Sequence, residues 1–247
     1  MKDNQKGFTL VELMIAMAMT GIVVAIIYSA YDLQTKIYTE QDKTADMQQN
    51  IRAALVFLQR EARMAGYNPT RSNHASCNRP GETDAVSPGI HTATATTLGF
   101  SMDLDEDGDC DGTGENVTYS IYTASDGLQK LGRAAPTTNQ AIAENITNID
   151  FVYLFKPPLM GSPASDPPTA TPATDQLDEI VAAQITVLAQ ALEEDRSAPT
   201  TLTFTAPFPD AWGQLVDGAG TQWGPFSDSR RRRLMTTSVN FRNMGLK

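Results

Sequence analysis

Cysteine and histidine are scarce, two of each in 247 residues. Cys77 and Cys110 belong to no C-x-x-C pair, and His74 and His91 lie in a Ser/Asn/Thr-rich stretch. That ligand set argues against a zinc site. Basic residues are also few, 19 Lys and Arg against 29 Asp and Glu, for a formal net charge of -10. A general nucleic-acid binder needs a basic footprint, which this chain lacks. No Walker loop, G-x-G-x-x-G or G-x-S-x-G is present, and no catalytic constellation appears, so nothing supports an enzyme. No internal repeat is visible. What remains, 41% hydrophobic and 19% charged residues, is an ordinary globular composition rather than a disordered one.

The long charge-free run is the strongest positive feature. Residues 13–31, LMIAMAMTGIVVAIIYSAY, carry no charge. At about 1.5 Å per residue, a helix Phe8–Tyr31 spans about 36 Å, enough to cross a bilayer. The preceding MKDNQKG carries two lysines, which favours an N-terminus on the cytoplasmic side and a C-terminal domain outside. A secretory signal would be cut after its apolar region, behind small residues. Here the natural cut precedes that region, at Gly7. One acid, Glu12, sits at the start of the run, and an unpartnered charge in lipid costs at least about 2.5 kcal/mol.

The segment KGFTLVELMIA resembles the type IV prepilin cleavage and methylation signature. The resemblance implies cleavage between Gly7 and Phe8 by a prepilin peptidase, N-methylation of Phe8, and use of Glu12 in assembly. Physically, the cut leaves an amine on Phe8 and a carboxylate one helical turn away. In a bundle, Glu12 can neutralise the Phe8 amine of a neighbouring subunit. Leaving one member of a buried pair alone costs several kcal/mol, so the pair acts as a register device.

Beyond Tyr31 the chain turns polar, and Ile51, Leu55, Leu58, Ala62 and Ala65 follow alternating steps of four and three. Leu33, Ile37 and Ala45 precede them on the same reading. Gly66 and Pro69 form a stop. The pattern predicts one nearly continuous helix from Phe8 to Ala65. The stretch QQNIRAALVFLQREARMAGYNPT is similar to the helix end of PilW-type minor pilins, and arginines before the last strand and the Arg-Asn in NFRNMG are features such sequences share.

From Thr70 the chain reads as β-rich. Strands are expected at Thr97–Asp103, Asn116–Tyr122, Gln129–Arg133, Ile146–Phe155, Ile180–Ala189 and Leu234–Phe241, with Asp126-Gly127 as a turn pair. Lys156–Asp178, rich in Pro, Ala and Thr, reads as a long mobile loop. Thr200–Ser229 reads as an irregular loop anchored by Trp212 and Trp223. The arginine run Arg230–Arg233 reads as a solvated edge before the last strand, the other reading being contact with DNA, anionic lipid or an acidic partner.

DLDEDGDCDG places Asp103, Asp105 and Asp107 before Gly108, the start of a calcium loop. Asp109, through its carbonyl, and Asp111 fall at the next ligand positions. The EF-hand pattern then fails, because its twelfth position is Gly114 and Glu115 comes one residue late. The stretch is either a calcium loop or a solvated acidic turn. If the domain is exported, a Cys77–Cys110 disulfide is the natural reading, contributing about 3–4 kcal/mol in the chain-entropy model and bracing this loop; the alternative is two unpaired thiols.

Together these readings predict an α+β protein, a long N-terminal helix packed on an antiparallel sheet. Its parts are a leader over 1–7, a membrane and assembly helix over 8–31, an amphipathic continuation over 32–66 and a globular domain over 67–247, whose long loop covers 156–178. The resemblance implies a minor pilin of a type IV pilus in the bacterial inner membrane, its C-terminal domain periplasmic, later on the pilus at the cell surface. Its partners would be other pilins, the peptidase, an inner-membrane assembly platform and lipid. A type II secretion pseudopilin of the GspJ type and a calcium-dependent pilus-borne adhesin are the alternatives.

Overall fold

The computed structural model describes residues 7–77, 84–135, 138–156, 166–194, 201–210, 214–216 and 220–244. The architecture is the expected α+β one, a long N-terminal helix followed by antiparallel sheets. The chain divides into two compact units, Met1–Asp46 and Met47–Lys247. One helix, α1 (Leu10–Ala62, 53 residues), runs through the boundary.

In the first unit, every residue from Gly7 to Thr39 is exposed. The second unit begins with the helix stretch whose apolar stripe is covered: Met47, Ile51, Ala54, Leu55, Leu58 and Ala62 are all buried, and Ala65 follows in the turn beyond. The stripe read from the sequence is therefore the packed face, whereas Leu33 (61% exposed) and Ile37 (44%) lie outside it. The helix stops three residues before the expected end. Met64 and Ala65 bond back to the carbonyls of Glu61 and Ala62, a tightened last turn, and Gly66 takes φ 76°.

The stripe packs on two antiparallel sheets. A five-stranded meander joins β1 (Ile90–Ala93), β2 (Thr97–Ser101), β3 (Asn116–Thr123), β4 (Gln129–Ala135) and β5 (Thr138–Glu144) in chain order. The turn from β3 to β4 is the predicted one, with Gly127 at φ 78° and its N–H on the Ala124 carbonyl. In the three-stranded sheet, β7 (Ile180–Glu194) lies between β6 (Ile146–Phe155) and β12 (Arg230–Asn240).

Strand β7 is buried on both faces from Ala182 to Ala189, one face wholly apolar and the other carrying the buried polar residues Gln184 and Thr186. Ala183, Ile185, Val187 and Ala189 join the core that contains the helix stripe, while Leu188 packs with Ala206 and Trp223. The second cover includes the pair of β8 (Leu202–Thr205) and β11 (Gln222–Phe226); β9 (Phe208–Pro209) pairs with β10 (Leu215–Val216). The segment expected as an irregular loop is thus partly hairpin. Trp223 anchors it as expected, and Trp212 lies outside the described residues.

One further expectation is corrected. The arginine run forms the first residues of β12, and Arg232 is not solvated. Its guanidinium lies 3.8 Å from the Phe226 ring centre and forks onto Asp228 at 2.6 and 2.7 Å. Of the long loop after β6, residues 157–165 lie outside the described set; the rest is tied down by a bridge between Tyr153 and Thr169 and a 3-10 turn, Thr174–Glu179, with Leu177 buried.

Polar fasteners complete the packing. Glu61 accepts from Arg133 Nε at 2.8 and 2.9 Å and from the Tyr119 hydroxyl. Burial, reinforced by that bond to Glu61, pushes the Tyr119 hydroxyl well above its ordinary value. At the helix end, Asn243 Nδ2 donates to the Met64 carbonyl at 3.4 Å, and Met244 lies where a Gly66 side chain would stand.

Candidate functional site

Two places carry chemistry, and each is described alone. The first is the start of α1. Helix geometry begins at Leu10, so Phe8 precedes the helix rather than opening it as expected. Thr9 is the N-cap, and Glu12 the third helical residue. The Glu12 amide donates to Thr9 Oγ1 at 3.2 Å, while Glu12 Oε2 accepts from the Thr9 amide and hydroxyl, both at 3.0 Å. This is a capping box, two otherwise orphaned donors satisfied reciprocally. The T-x-x-E spacing in the sequence was the available signal for it.

Downstream, the hydroxyls of the run satisfy themselves within the helix. Thr20 donates to the Ala16 carbonyl at 2.8 Å, Ser29 to Ile26 at 2.8 Å and Thr35 to Tyr31 at 2.9 Å. The side-chain ion pair Lys36–Asp32, at 2.7 Å, marks the turn to polar sequence. The helix is long and apolar enough to cross a membrane, and none of its apolar window is buried within the chain. An exposed, all-round apolar helix has hydrocarbon or another apolar helix as its matching environment.

The second place is the acidic loop between β2 and β3. Cys77 and Cys110 are disulfide-bonded, joining the 3-10 turn Ala75–Cys77 to this loop. The loop splits the five aspartates. Asp103 is buried, with its amide on the Tyr67 carbonyl and its Oδ2 accepting from Gly108 N at 3.2 Å and the Thr70 hydroxyl at 3.2 Å. Asp107 and Asp109 each accept a backbone N–H two residues on, at 3.1 and 2.9 Å. That N–H bond lowers the Asp109 carboxyl, while the Asp109 side chain pushes Asp111 up.

Glu115, one residue late by the linear pattern, is buried and faces back into the loop. Its Oε1 accepts from Leu104 N at 2.7 Å and Asp105 N at 3.2 Å, and its Oε2 from Gly112 N at 2.8 Å. A side chain at Gly112 would stand 2.6 Å from Oε2, so only glycine permits this approach. Asp103, Asp105 and Glu115 each offer an oxygen within 4.8 Å of the others, an acidic triad able to hold a metal. Desolvation, then Glu115 and Asp107, push the Asp105 carboxyl up.

Residues 2–28 match the family model for the prokaryotic N-terminal methylation motif. Comparison with curated proteins gives no match. Among solved structures, the type IV-like pilin TTHA1219 from Thermus thermophilus is similar at 15% identity and a TM-score of 0.48, over 81% of this chain and 98% of that one.

Proposed function

We propose that this chain is a minor pilin, a structural subunit of a type IV pilus. It is held in the bacterial inner membrane by residues 8–31 with the domain after the helix on the periplasmic side. Prepilin peptidase removes residues 1–7, leaving Phe8 as the methylated N-terminus. The subunit then enters the filament, and Glu12 receives the Phe8 amine of a neighbouring copy or another pilin. The observation that carries this reading is one carboxylate at the head of a fully exposed apolar helix, inside a matched N-methylation motif. Lipid or neighbouring apolar helices would cover such a segment. The acidic loop, on this reading, holds calcium through oxygen ligands.

The test is to shear and purify filaments from producing cells and sequence this subunit's N-terminus by mass spectrometry. A chain beginning at methylated Phe8 is expected in the filament fraction. A chain that begins at Met1 and never accompanies any filament overturns the reading.

A further inference from the structure

We infer that calcium is held by Asp103, Asp105 and Glu115, the last of these reaching in from the edge of β3, rather than by the run of alternate aspartates; this rests on the cation reading of the acidic loop and names its ligands. The three carboxylates converge to within 4.8 Å, Glu115 from the end of the loop that Asp103 and Asp105 begin. Asp103 is 1% exposed, and its Oδ1 is a buried oxygen with no hydrogen-bond partner. Buried carboxylate oxygens are seldom left without a partner, so this one has the capacity to take an ion. No lysine or arginine among the described residues forms an ion pair with any of the three. A counter-charge is therefore wanted where three acids meet.

The donor set selects the ion. Carboxylate oxygens with no nitrogen or sulfur favour a hard cation. The loop is irregular, with Glu106, Gly108 and Gly114 at positive φ, and its ligands come from its two ends. Calcium accepts such variable geometry and fills its shell with carbonyls and water, whereas magnesium demands near-octahedral order at shorter distances. Glu115 is held in place by three backbone N–H groups and retains lone-pair capacity for an ion. Asp107, Asp109 and Asp111 lie outside the converging group.

The ion would also fasten the loop to what surrounds it. Asp103 is bonded to Tyr67 and Thr70 in the turn after the helix, and Cys110 is bonded to Cys77. Calcium at Asp103 thus links the helix exit, the acidic loop and β3.

The full chain in detergent, stripped with EGTA, is titrated with calcium chloride by calorimetry and melted with and without the ion. One calcium per chain and a rise in Tm are expected, with no comparable rise in equal magnesium. D105N changes an exposed side chain and is expected to weaken binding at least about tenfold. E115Q is expected to weaken it as much, with circular dichroism checking the fold. The D109N/D111N double variant is expected to bind within about threefold of the parent chain. No calcium heat from the parent chain up to about 5 mM overturns both the cation reading and this ligand set. Binding lost in D109N/D111N but kept in D105N overturns the ligand set alone. Equal stabilisation by magnesium overturns the choice of ion.

Discussion

The two ends of α1 are the same backbone under opposite conditions. From Gly7 to Thr39 every residue is exposed. From Met47 to Ala62 a stripe of the same residue types is sealed against two sheets. Residue character alone does not separate them, since Leu, Ile, Ala and Met dominate both. Placement does. An all-round apolar surface has no preferred inner side and must find its partners outside the chain, while a single stripe specifies one internal face. The second stretch therefore carries stability, and the first, on the proposed reading, carries interaction.

That contrast can be attacked directly. The largest expected effect is functional: E12L should insert into the membrane normally yet be recovered in sheared filaments at least about tenfold less than the parent chain, measured by immunoblot of both fractions. Undiminished recovery would mean the acid has no part in assembly. Next comes a pair of truncations. L58A, in the sealed stripe, should lose about 2–5 kcal/mol of stability in denaturant melts of the full chain in detergent, and V24A, in the bare stretch, close to none. Similar losses for both would erase the distinction. A smaller effect is expected from E61Q, which keeps the shape but removes the charge facing Arg133, at about 1–3 kcal/mol.

The mildest effect tests how well the sealed region satisfies its own polar groups. Asp150 on β6 is 3% exposed, and its Oδ2 accepts from Thr221 at 3.3 Å. Burial pushes its carboxyl from 3.8 up to about 6, the Thr221 bond opposing. The folded state thus holds the proton more tightly than the unfolded state does. The resulting stability is fully present below pH 3.8 and is lost as pH rises through about 6. D150N should accordingly raise Tm by a few degrees at pH 7.5, with the gain shrinking towards zero near pH 4. A gain independent of pH would show that charge is not the cause.

Much of this was legible before any coordinates. The apolar run with its one acid, the 51–55–58–62–65 stripe, the Gly66 stop, the Asp126-Gly127 turn and the β6 limits each follow from a local pattern. The misses were of another kind. Strands β1 and β5, IHTA and TNQAIAE, are short or polar and gain their identity from neighbours in the meander. The 201–226 segment looked irregular because Gly and Pro punctuate it, but Leu188 and Trp223 give its short strands something to cover. Arg232 looked solvated as one of four arginines, although alternation along a strand sends neighbouring side chains to opposite faces. Glu115 was discounted by counting along the chain, whereas the fold brings it back across the loop to Asp103 and Asp105.

The bracket between Thr9 and Glu12 has one more implication. A carboxylate offers about four lone-pair positions, and Thr9 occupies only part of them. The acid need not release its own helix in order to greet a newcomer. On the proposed reading a waiting precursor and an incorporated subunit can keep the same first turn, so joining a fibre would demand no local refolding at the very tip of the rod.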